Sequence, residues 1–285
     1  MKAKKAVQPT RRDLTFNPPA EHIHDWLDGG VHFTHLMNTM SLVIPVGERF
    51  FIDAVRHYRD QITDPELKKA ATAFIGQEAM HGREHDEYNG LMHQRVKGSK
   101  EFEDSVTALL AWGKKNLPAS SRLSATIALE HLTAIMADGF LTSEFMNEKS
   151  EKHYGALWKW HALEETEHKG VPYDIYEQVV GTGPRAYAER TLGLLIATAI
   201  FWGKVIPAHV SFVRAEGKLT DWKGWREFYR VGFGEIGFLR KMIRPWFSYF
   251  KPGFHPWDHD NSHFLKEVEG HSAPWLTQRK VPAAA

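Results

Sequence analysis

Two Glu-x-x-His pairs and two further glutamates are the residues of this chain that could do chemistry together. In chain order they are Glu48, Glu78, His81, Glu130, Glu165 and His168. Residues three apart on a helix lie about 60° apart and one turn along, so a carboxylate and an imidazole can reach one ion. A bundle of four helices that holds two iron or manganese ions uses this ligand set, with Glu-x-x-His on two helices. The pattern therefore predicts a two-metal site.

A third histidine lies at a spacing that suits the same site. His161 precedes Glu165 by four residues and His168 by seven, so all three side chains project from one helical face. We predict His161 as a third nitrogen ligand, with a supporting core histidine as the alternative. His85 follows His81 by four residues, and we predict that it supports a ligand rather than binding metal.

Three neighbouring residues are predicted to stay outside the ligand set. Glu164 and Glu167 flank Glu165 on other faces, and solvated or supporting roles are expected for them. His131 follows Glu130 directly and points about 100° away from it. The alternative for the ligand glutamates is a set of core ion pairs, which we disfavour because buried pairs are costly and stabilise little.

The composition limits the kinds of site and partner. The chain has no Cys, which excludes disulfides, iron–sulfur clusters and thiolate metal sites, so His and carboxylates must hold any metal. Lys and Arg number 36 against 35 Asp and Glu, and this balance predicts no nucleic-acid partner. Hydrophobic residues at 42% and charged residues at 25% are typical of a globular protein.

Helical spacing dominates the chain, and the predicted class is all-α. Helices are expected over about residues 45–61, 65–94, 103–117, 118–148 and 153–180. Pro45 is interpreted as the start of the first helix. Thr63-Asp64-Pro65-Glu66 is interpreted as the start of the second helix, with a cap followed by Pro at the first helical position. Pro172 is expected to kink the fifth helix. Gly181 to Pro184 then break the chain. The predicted division is a polar segment over 1–30, a bundle over 31–181 and a helical extension with a His-rich tail over 182–285.

The extension combines aromatic and basic residues. From Arg214 to Lys251 there are nine Lys or Arg against four Asp or Glu, among many Trp, Phe and Tyr. We predict a cover packed over the bundle, with a membrane-interface face or a nucleic-acid surface as alternatives. The last thirty residues are expected to be irregular. They begin near a polar cluster that we interpret as a solvated stretch or lid rather than a second metal site: His255, Asp258, His259, Asp260 and His263.

No export signal or membrane span is predicted. Met1 to Arg12 is basic and polar with no apolar run behind it. The longest apolar stretch, 191–203, falls short of the roughly 20 residues that a spanning helix needs. We expect a cytoplasmic protein, with peripheral membrane contact through 214–251 as a further possibility. The oligomeric state is left open.

Four stretches of sequence resemble the predicted metal-dependent hydrolases, a family of the ferritin-like group. They are Ser41-Leu-Val-Ile-Pro-Val-Gly-Glu-Arg-Phe-Phe51, Gln77-Glu-Ala-Met-His-Gly-Arg-Glu-His85, His161-Ala-Leu-Glu-Glu-Thr-Glu-His-Lys169 and Pro252-Gly-Phe-His-Pro-Trp257. The ligand spacing is also similar to that of the di-iron arylamine N-oxygenases. The resemblance implies a ferritin-like four-helix bundle and metal-ligand roles for seven residues, and it carries no substrate: Glu48, Glu78, His81, Glu130, His161, Glu165 and His168.

The ligand set leads to one main functional hypothesis and two alternatives. Four Glu with two or three His resemble sites that activate O₂, so we expect two metal ions, iron before manganese or zinc. The main prediction is an oxidoreductase that uses O₂ and an electron donor to oxidise a small apolar molecule or lipid. The alternatives are a dinuclear metal-dependent hydrolase and a non-catalytic iron-binding bundle.

Overall fold

The computed structural model describes residues 7–268. Their helices are Gly30–Tyr58 (α1), Pro65–Arg95 (α2), Ser99–Asn116 (α3), Ala119–Leu141 (α4), Glu144–Glu148 (α5), Lys152–His168 (α6), Val171–Val179 (α7), Pro184–Ala215 (α8), Trp222–Gly232 (α9), Phe238–Ser248 (α10) and Leu265–Val268 (α11). Among these residues the only β pairing is an isolated bridge between Leu27 and Ser150. The predicted all-α class is confirmed.

The four long helices that carry the candidate ligands pack in a closed ring. α1 contacts α2, α2 contacts α6, α6 contacts α4, and α4 returns to α1. This arrangement is compatible with the expected ferritin-like four-helix bundle. It brings together side chains that are more than 100 residues apart in the sequence.

Three of these helices, α1, α2 and α4, pass through two apolar clusters with a polar layer between them. On α1, for example, Val46 belongs to one buried cluster and Phe50 to the other, with Glu48 between them. On α2 the layer falls between Phe74 and Tyr88. Burial of apolar side chains above and below therefore fixes the depth at which the carboxylates and imidazoles lie.

Three helix boundaries test the sequence interpretation. The start signal before Pro65 is confirmed, because Asp64 accepts hydrogen bonds from the backbone N–H groups of Glu66 and Leu67. The expected start at Pro45 is wrong: α1 begins at Gly30 and Pro45 lies inside it. The buried face over residues 32–42 outweighs the roughly 3 kcal/mol cost of an internal proline. The predicted kink at Pro172 is instead a break, since α6 ends at His168 and Pro172 lies in the first turn of α7.

The segments outside the ring pack against it. Before α1, Phe16 and Trp26 are buried in the same cluster as the bundle core. α8 packs along α4 and α1, α9 on α1 and α10 on α4. One face of the aromatic-basic extension therefore covers the bundle. Of the last thirty residues, which were expected to be irregular, 256–268 contain two short 3-10 helices and α11. The residues beyond 268 lie outside the described part of the chain, as do residues 1–6.

The apolar face of helix α8 is largely uncovered. Among the described helices it is the one that is long and apolar enough to cross a membrane by length and composition. A single helix of this kind is weak evidence for a span. It also carries Arg190, which is buried and donates to the carbonyl of Tyr249.

Candidate metal centre

The seven predicted ligands converge inside the ring of helices. α1 supplies Glu48, α2 and α6 supply their Glu-x-x-His pairs, and α4 supplies Glu130. No residue of the set is more than 5% exposed. The structure therefore places all the predicted ligands, including His161, in one buried cluster.

Glu165 occupies the middle of the cluster. Its Oε1 lies 3.2 Å from Nε2 of His161, 3.4 Å from Nε2 of His168 and 4.0 Å from Nδ1 of His81. On one side Nδ1 of His81 lies 3.7 Å from Oε1 of Glu48. A carboxylate in this position can contribute to two ions at once.

The remaining contacts divide the ligands into two groups that could each hold an ion. Glu48, His81 and His161 offer donor atoms within 4.8 Å of one another, and so do Glu78, Glu130 and His168. In the second group Nε2 of His168 lies 3.1 Å from Glu78 Oε1 and 3.5 Å from Glu130 Oε2. A third overlapping group joins Glu78, His81 and Glu165.

Most of the donor atoms face one another without a hydrogen-bond partner. Both carboxylate oxygens of Glu48, Glu78 and Glu130 lack a hydrogen-bond partner in the described chain, as do Nδ1 of His81 and Nε2 of His168. The His168–Glu78 distance would allow a hydrogen bond, but the two groups are not aligned for one. Buried polar atoms without partners are costly, so their convergence fits a metal site made of oxygen and nitrogen donors.

The charges of the cluster are poorly balanced by protein groups. Burial raises the pKa values of Glu48, Glu78 and Glu130 well above the ordinary value, and the neighbouring carboxylates raise them further. Burial lowers the pKa of His81 well below its ordinary value. Metal cations would compensate this concentration of carboxylates.

Glu165 differs from the other three carboxylates. Burial by itself would raise its pKa, but His168 and His161 outweigh that effect, and the pKa lies well below the ordinary value. Thr133 of α4 also donates a hydrogen bond to Oε2. Glu165 is thus the carboxylate that the protein itself holds in the charged form.

Each ligand histidine has its second ring nitrogen held by a partner. Glu164 Oε2 lies 3.1 Å from Nε2 of His81, and Gln77 Oε1 lies 3.0 Å from Nδ1 of His168. Nε2 of His85 lies 3.0 Å from Nδ1 of His161, and Ser41 contacts the other nitrogen of His85. Such partners fix which nitrogen faces the ion and orient the ring.

The partners are in turn held by the N-terminal segment, which the sequence interpretation did not connect to the site. Arg12 donates to Glu164 and to both oxygens of Glu167, and Gln77 donates to Glu167 at 2.6 Å. Glu164 is fully buried and Glu167 is 8% exposed, so neither side chain is solvated. Of the two roles expected for them, their contacts fit the supporting one. Burial raises the pKa of Glu164 to about 8, although Arg12 opposes it.

No spacing signal pointed to Arg12 or Gln77, because their contacts join segments far apart in the chain. Gly82 is a further residue next to the site, since a Cβ atom at this position would lie 3.1 Å from Oε2 of Glu48. A side chain at this position would crowd the ligand. Gln77 and Gly82 do lie within the Gln77–His85 stretch that carried the family resemblance.

Gln77→Leu is expected to weaken metal binding by about 10- to 100-fold, because Nδ1 of His168 loses its acceptor. Competition with a chromogenic chelator measures the affinity. Gln94→Leu is the matched control, since Gln94 is an exposed residue of the same helix. Equal affinities in the two variants would show that Gln77 does not position the ligand.

The other histidines singled out in the sequence lie outside the cluster. Nε2 of His131 lies 3.3 Å from the carbonyl oxygen of Pro245. In the predicted tail cluster, His255 pairs with Asp174 of α7 and His259 with Asp138 of α4. These two histidines fasten the tail to two helices of the bundle. His263, the last histidine of the cluster, is exposed.

A separate group of His24, His35 and Glu216 has the composition of a metal site. Nδ1 of His24 lies 3.2 Å from Glu216 Oε1, and Nε2 of His35 lies 3.8 Å from the same atom. The amide of Asn38 is oriented by two donors to its oxygen, so its nitrogen donates to Nδ1 of His35 at 3.3 Å. His35 Nε2 then carries the proton and offers Glu216 a hydrogen rather than a lone pair. Nε2 of His35 and Nδ1 of His24 are buried without a hydrogen-bond partner, but the tautomer of His35 leaves it no lone pair for an ion.

A cavity of about 530 Å³ adjoins the metal cluster. Glu48, His161 and Glu165 line it together with Thr133, and almost all of its other wall residues are apolar. A molecule in this cavity would lie beside three of the seven candidate ligands.

The fold is all-α, and the buried carboxylates and imidazoles at its centre are arranged as metal ligands. These two features indicate a metal-dependent helical protein, and comparison with known families agrees. The chain belongs to the family described as predicted metal-dependent hydrolases, whose model matches residues 10–260. No curated protein and no solved structure matches the chain.

The family assignment corrects the main functional prediction. An O₂-dependent di-iron oxidoreductase was expected, but the family is one of metal-dependent hydrolases, which was the stated alternative. The comparisons also give no support to the similarity with arylamine N-oxygenases. The error arose because carboxylate-rich ligand sets serve both oxidative and hydrolytic chemistry, and ligand types alone do not distinguish them.

Proposed function

We propose that this protein is a dinuclear metal-dependent hydrolase. The observation that carries the proposal is the buried cluster of four Glu and three His in a chain of the metal-dependent hydrolase family. Glu48, His81 and His161 would hold one divalent ion, Glu78, Glu130 and His168 the other, and Glu165 would contact both. Zinc, manganese and iron all suit these donors.

Bound ions would supply an activated water at neutral pH and polarise the bond to be cleaved. The protein's own contribution begins with orientation, because Glu164, Gln77 and His85 hold the three ligand rings. Glu48 and Glu165 line the cavity as well as the metal cluster. A substrate bound in the cavity would therefore lie against the metal cluster, among walls that are mostly apolar.

The test is hydrolysis by protein loaded separately with zinc, manganese or iron. Nitrophenyl carboxylic esters and nitrophenyl phosphate are the substrates, assayed without O₂, and metal content is measured by plasma mass spectrometry. We expect about two ions per chain and turnover of at least one substrate class that is lost on chelation. Two bound ions with no hydrolysis under any loading would refute the proposal.

We also propose peripheral contact with anionic membranes through residues 214–251. α9 and α10 bury one face on the bundle and leave aromatic side chains on the other, with Trp222 82% and Phe247 61% exposed. Arg240 and Lys241 of α10 are exposed as well. Exposed aromatic and basic residues together suit the headgroup region.

Pelleting with vesicles is expected to increase with anionic lipid content and to decrease with salt. Exchanging Arg240 and Lys241 for glutamine should reduce binding by up to about thirtyfold, at about 1 kcal/mol for each charge. Neutral vesicles serve as the control. Equal pelleting with neutral and anionic vesicles, or no pelleting with either, would contradict this proposal. Residues 214–251 would then serve only to cover the bundle.

A further inference from the structure

The cavity beside the metal cluster is elongated along the bundle. On α1 its wall runs from Met37 to Phe51, which is about 20 Å at the helical rise. Along that helix it uses positions 37, 40, 43, 44, 47, 48, 50 and 51, which form one face. On α4 it runs from Ser121 to Phe140. A compact ligand would leave most of this length unfilled.

The walls are mostly apolar away from the metal ligands. Glu48, His161 and Glu165 interrupt a lining that is otherwise dominated by Met, Leu, Ile, Val and Phe. On α1, Met37 and Met40 lie on one side of Glu48, and Phe50 and Phe51 lie on the other. A molecule that fills the cavity therefore places a short section of its length against the metal cluster and buries the rest in hydrocarbon-like surroundings.

The cavity reaches the surface between α3 and α8. Leu192, Ile196 and Ile200 lie one turn apart on α8, line the cavity and are 56%, 50% and 44% exposed. Trp112 of α3 lines it too and is 58% exposed. These side chains form an apolar surface at the cavity mouth, along which an alkyl chain can enter.

We propose that the cavity binds one long unbranched alkyl chain, so that the substrate is a long-chain carboxylic ester. This inference rests on the proposed function. In the reaction, water adds across the acyl C–O bond: the acyl carbon gains the hydroxyl oxygen, the alcohol oxygen leaves with a proton, and no redox partner is needed. The cavity volume of about 530 Å³ lies within the usual range of roughly 300–1,000 Å³ for ligand pockets.

A neutral ester suits the walls better than a phosphoester. Apart from the metal ligands, the charged residues among the cavity-lining positions are Glu189 and Lys204. Lys204 lies 3.3 Å from the hydroxyl oxygen of Ser105. Apolar walls cannot replace the water around a phosphate charge, whereas an uncharged ester loses little on transfer.

Binding of neutral alcohols to metal-stripped protein tests the cavity independently of catalysis. Octanol, decanol and dodecanol would displace Nile red with an affinity that rises by up to about fourfold for each added methylene. Adamantylmethanol, a compact alcohol with about as many carbons as decanol, should bind much more weakly. Equal affinity for the compact and the linear alcohol would overturn the proposal.

Substitutions that fill the cavity sharpen this test. Ala125→Trp on α4 and Val43→Trp on α1 each place a large ring in the cavity and should reduce decanol binding at least tenfold. Ala199→Trp is the matched control, because Ala199 is exposed on α8 and does not line the cavity. Circular dichroism verifies folding, and blocking from two helices keeps the test valid if one variant misfolds. Unchanged binding in a folded blocking variant would overturn the proposal.

Hydrolysis by metal-loaded protein separates this inference from the proposed function. Nitrophenyl laurate should be preferred over nitrophenyl acetate if the chain belongs to the acyl group, and dodecyl acetate over ethyl acetate if it belongs to the alcohol. Alcohol binding without any hydrolysis would refute the proposed hydrolase function and leave the proposal of an alkyl-chain cavity standing. Hydrolysis of short esters alone, insensitive to Ala125→Trp, would refute the chain site and leave the hydrolase.

Discussion

Glu165→Ala is expected to reduce hydrolytic kcat/KM by at least about a hundredfold and the metal content below two ions per chain. Glu165 is the carboxylate whose Oε1 lies within 4.0 Å of ring nitrogens of His81, His161 and His168. Its removal takes away the group common to both candidate ion positions. Ester turnover and plasma mass spectrometry on the same preparation measure the two effects.

The matched control is Glu101→Ala, because Glu101 is exposed on α3 and away from the cluster. It should retain activity and two ions. Thr133→Val tests the role of Glu165 with a smaller perturbation, because it removes a hydrogen bond to Glu165 without removing a ligand. Full metal content and turnover within a few-fold of the original protein in Glu165→Ala would mean that Glu165 is not a ligand.

Removing the metal is expected to lower the melting temperature by about 10 °C. An ion present at a thousand times its Kd stabilises the folded state by about 4 kcal/mol, and 1 kcal/mol shifts Tm by roughly 2–4 °C in a chain of this size. Calorimetry before and after treatment with a chelator measures the change. An unchanged Tm after verified metal removal would show that the cluster is stable as a set of protein groups.

The loss of stability should depend on pH. In the metal-free protein burial holds the pKa values of Glu48, Glu78 and Glu130 well above the ordinary glutamate value, so the folded chain holds protons that the unfolded chain releases. These three glutamates should make the metal-free Tm fall as pH rises above about 4.5, whereas Glu165 and, below about pH 6.5, the buried His81 and His85 act in the opposite sense. Metal binding displaces these protons, so the difference in Tm between the two forms should widen from about pH 5 to pH 8. A constant difference would contradict this assignment of protons.

Local sequence determined the helices and the faces on which the ligands lie. Asp64 and Pro65 start α2 through local capping, and Glu78 and His81 share a face because helical geometry relates residues three apart. The all-α class follows from the same short-range periodicity. Even so, the predictions for both prolines were wrong. Pro45 lies inside α1 because burial of a long helical face retains it there. Pro172 does not kink one helix but follows a break, because Gly170 and Pro172 separate α6 from α7.

Tertiary structure alone decided how the ligands meet and what supports them. The ring of α1, α2, α6 and α4 brings Glu48, Glu130 and Glu165 together, and the support of His168 by Gln77 joins residues 91 apart in the sequence. Arg12 reaches Glu164 from a segment that has no regular structure of its own. The elongated cavity likewise exists only between packed helices. Spacing along a chain encodes contacts within one helix, whereas contacts between helices depend on how whole faces pack, and the sequence by itself does not order those faces.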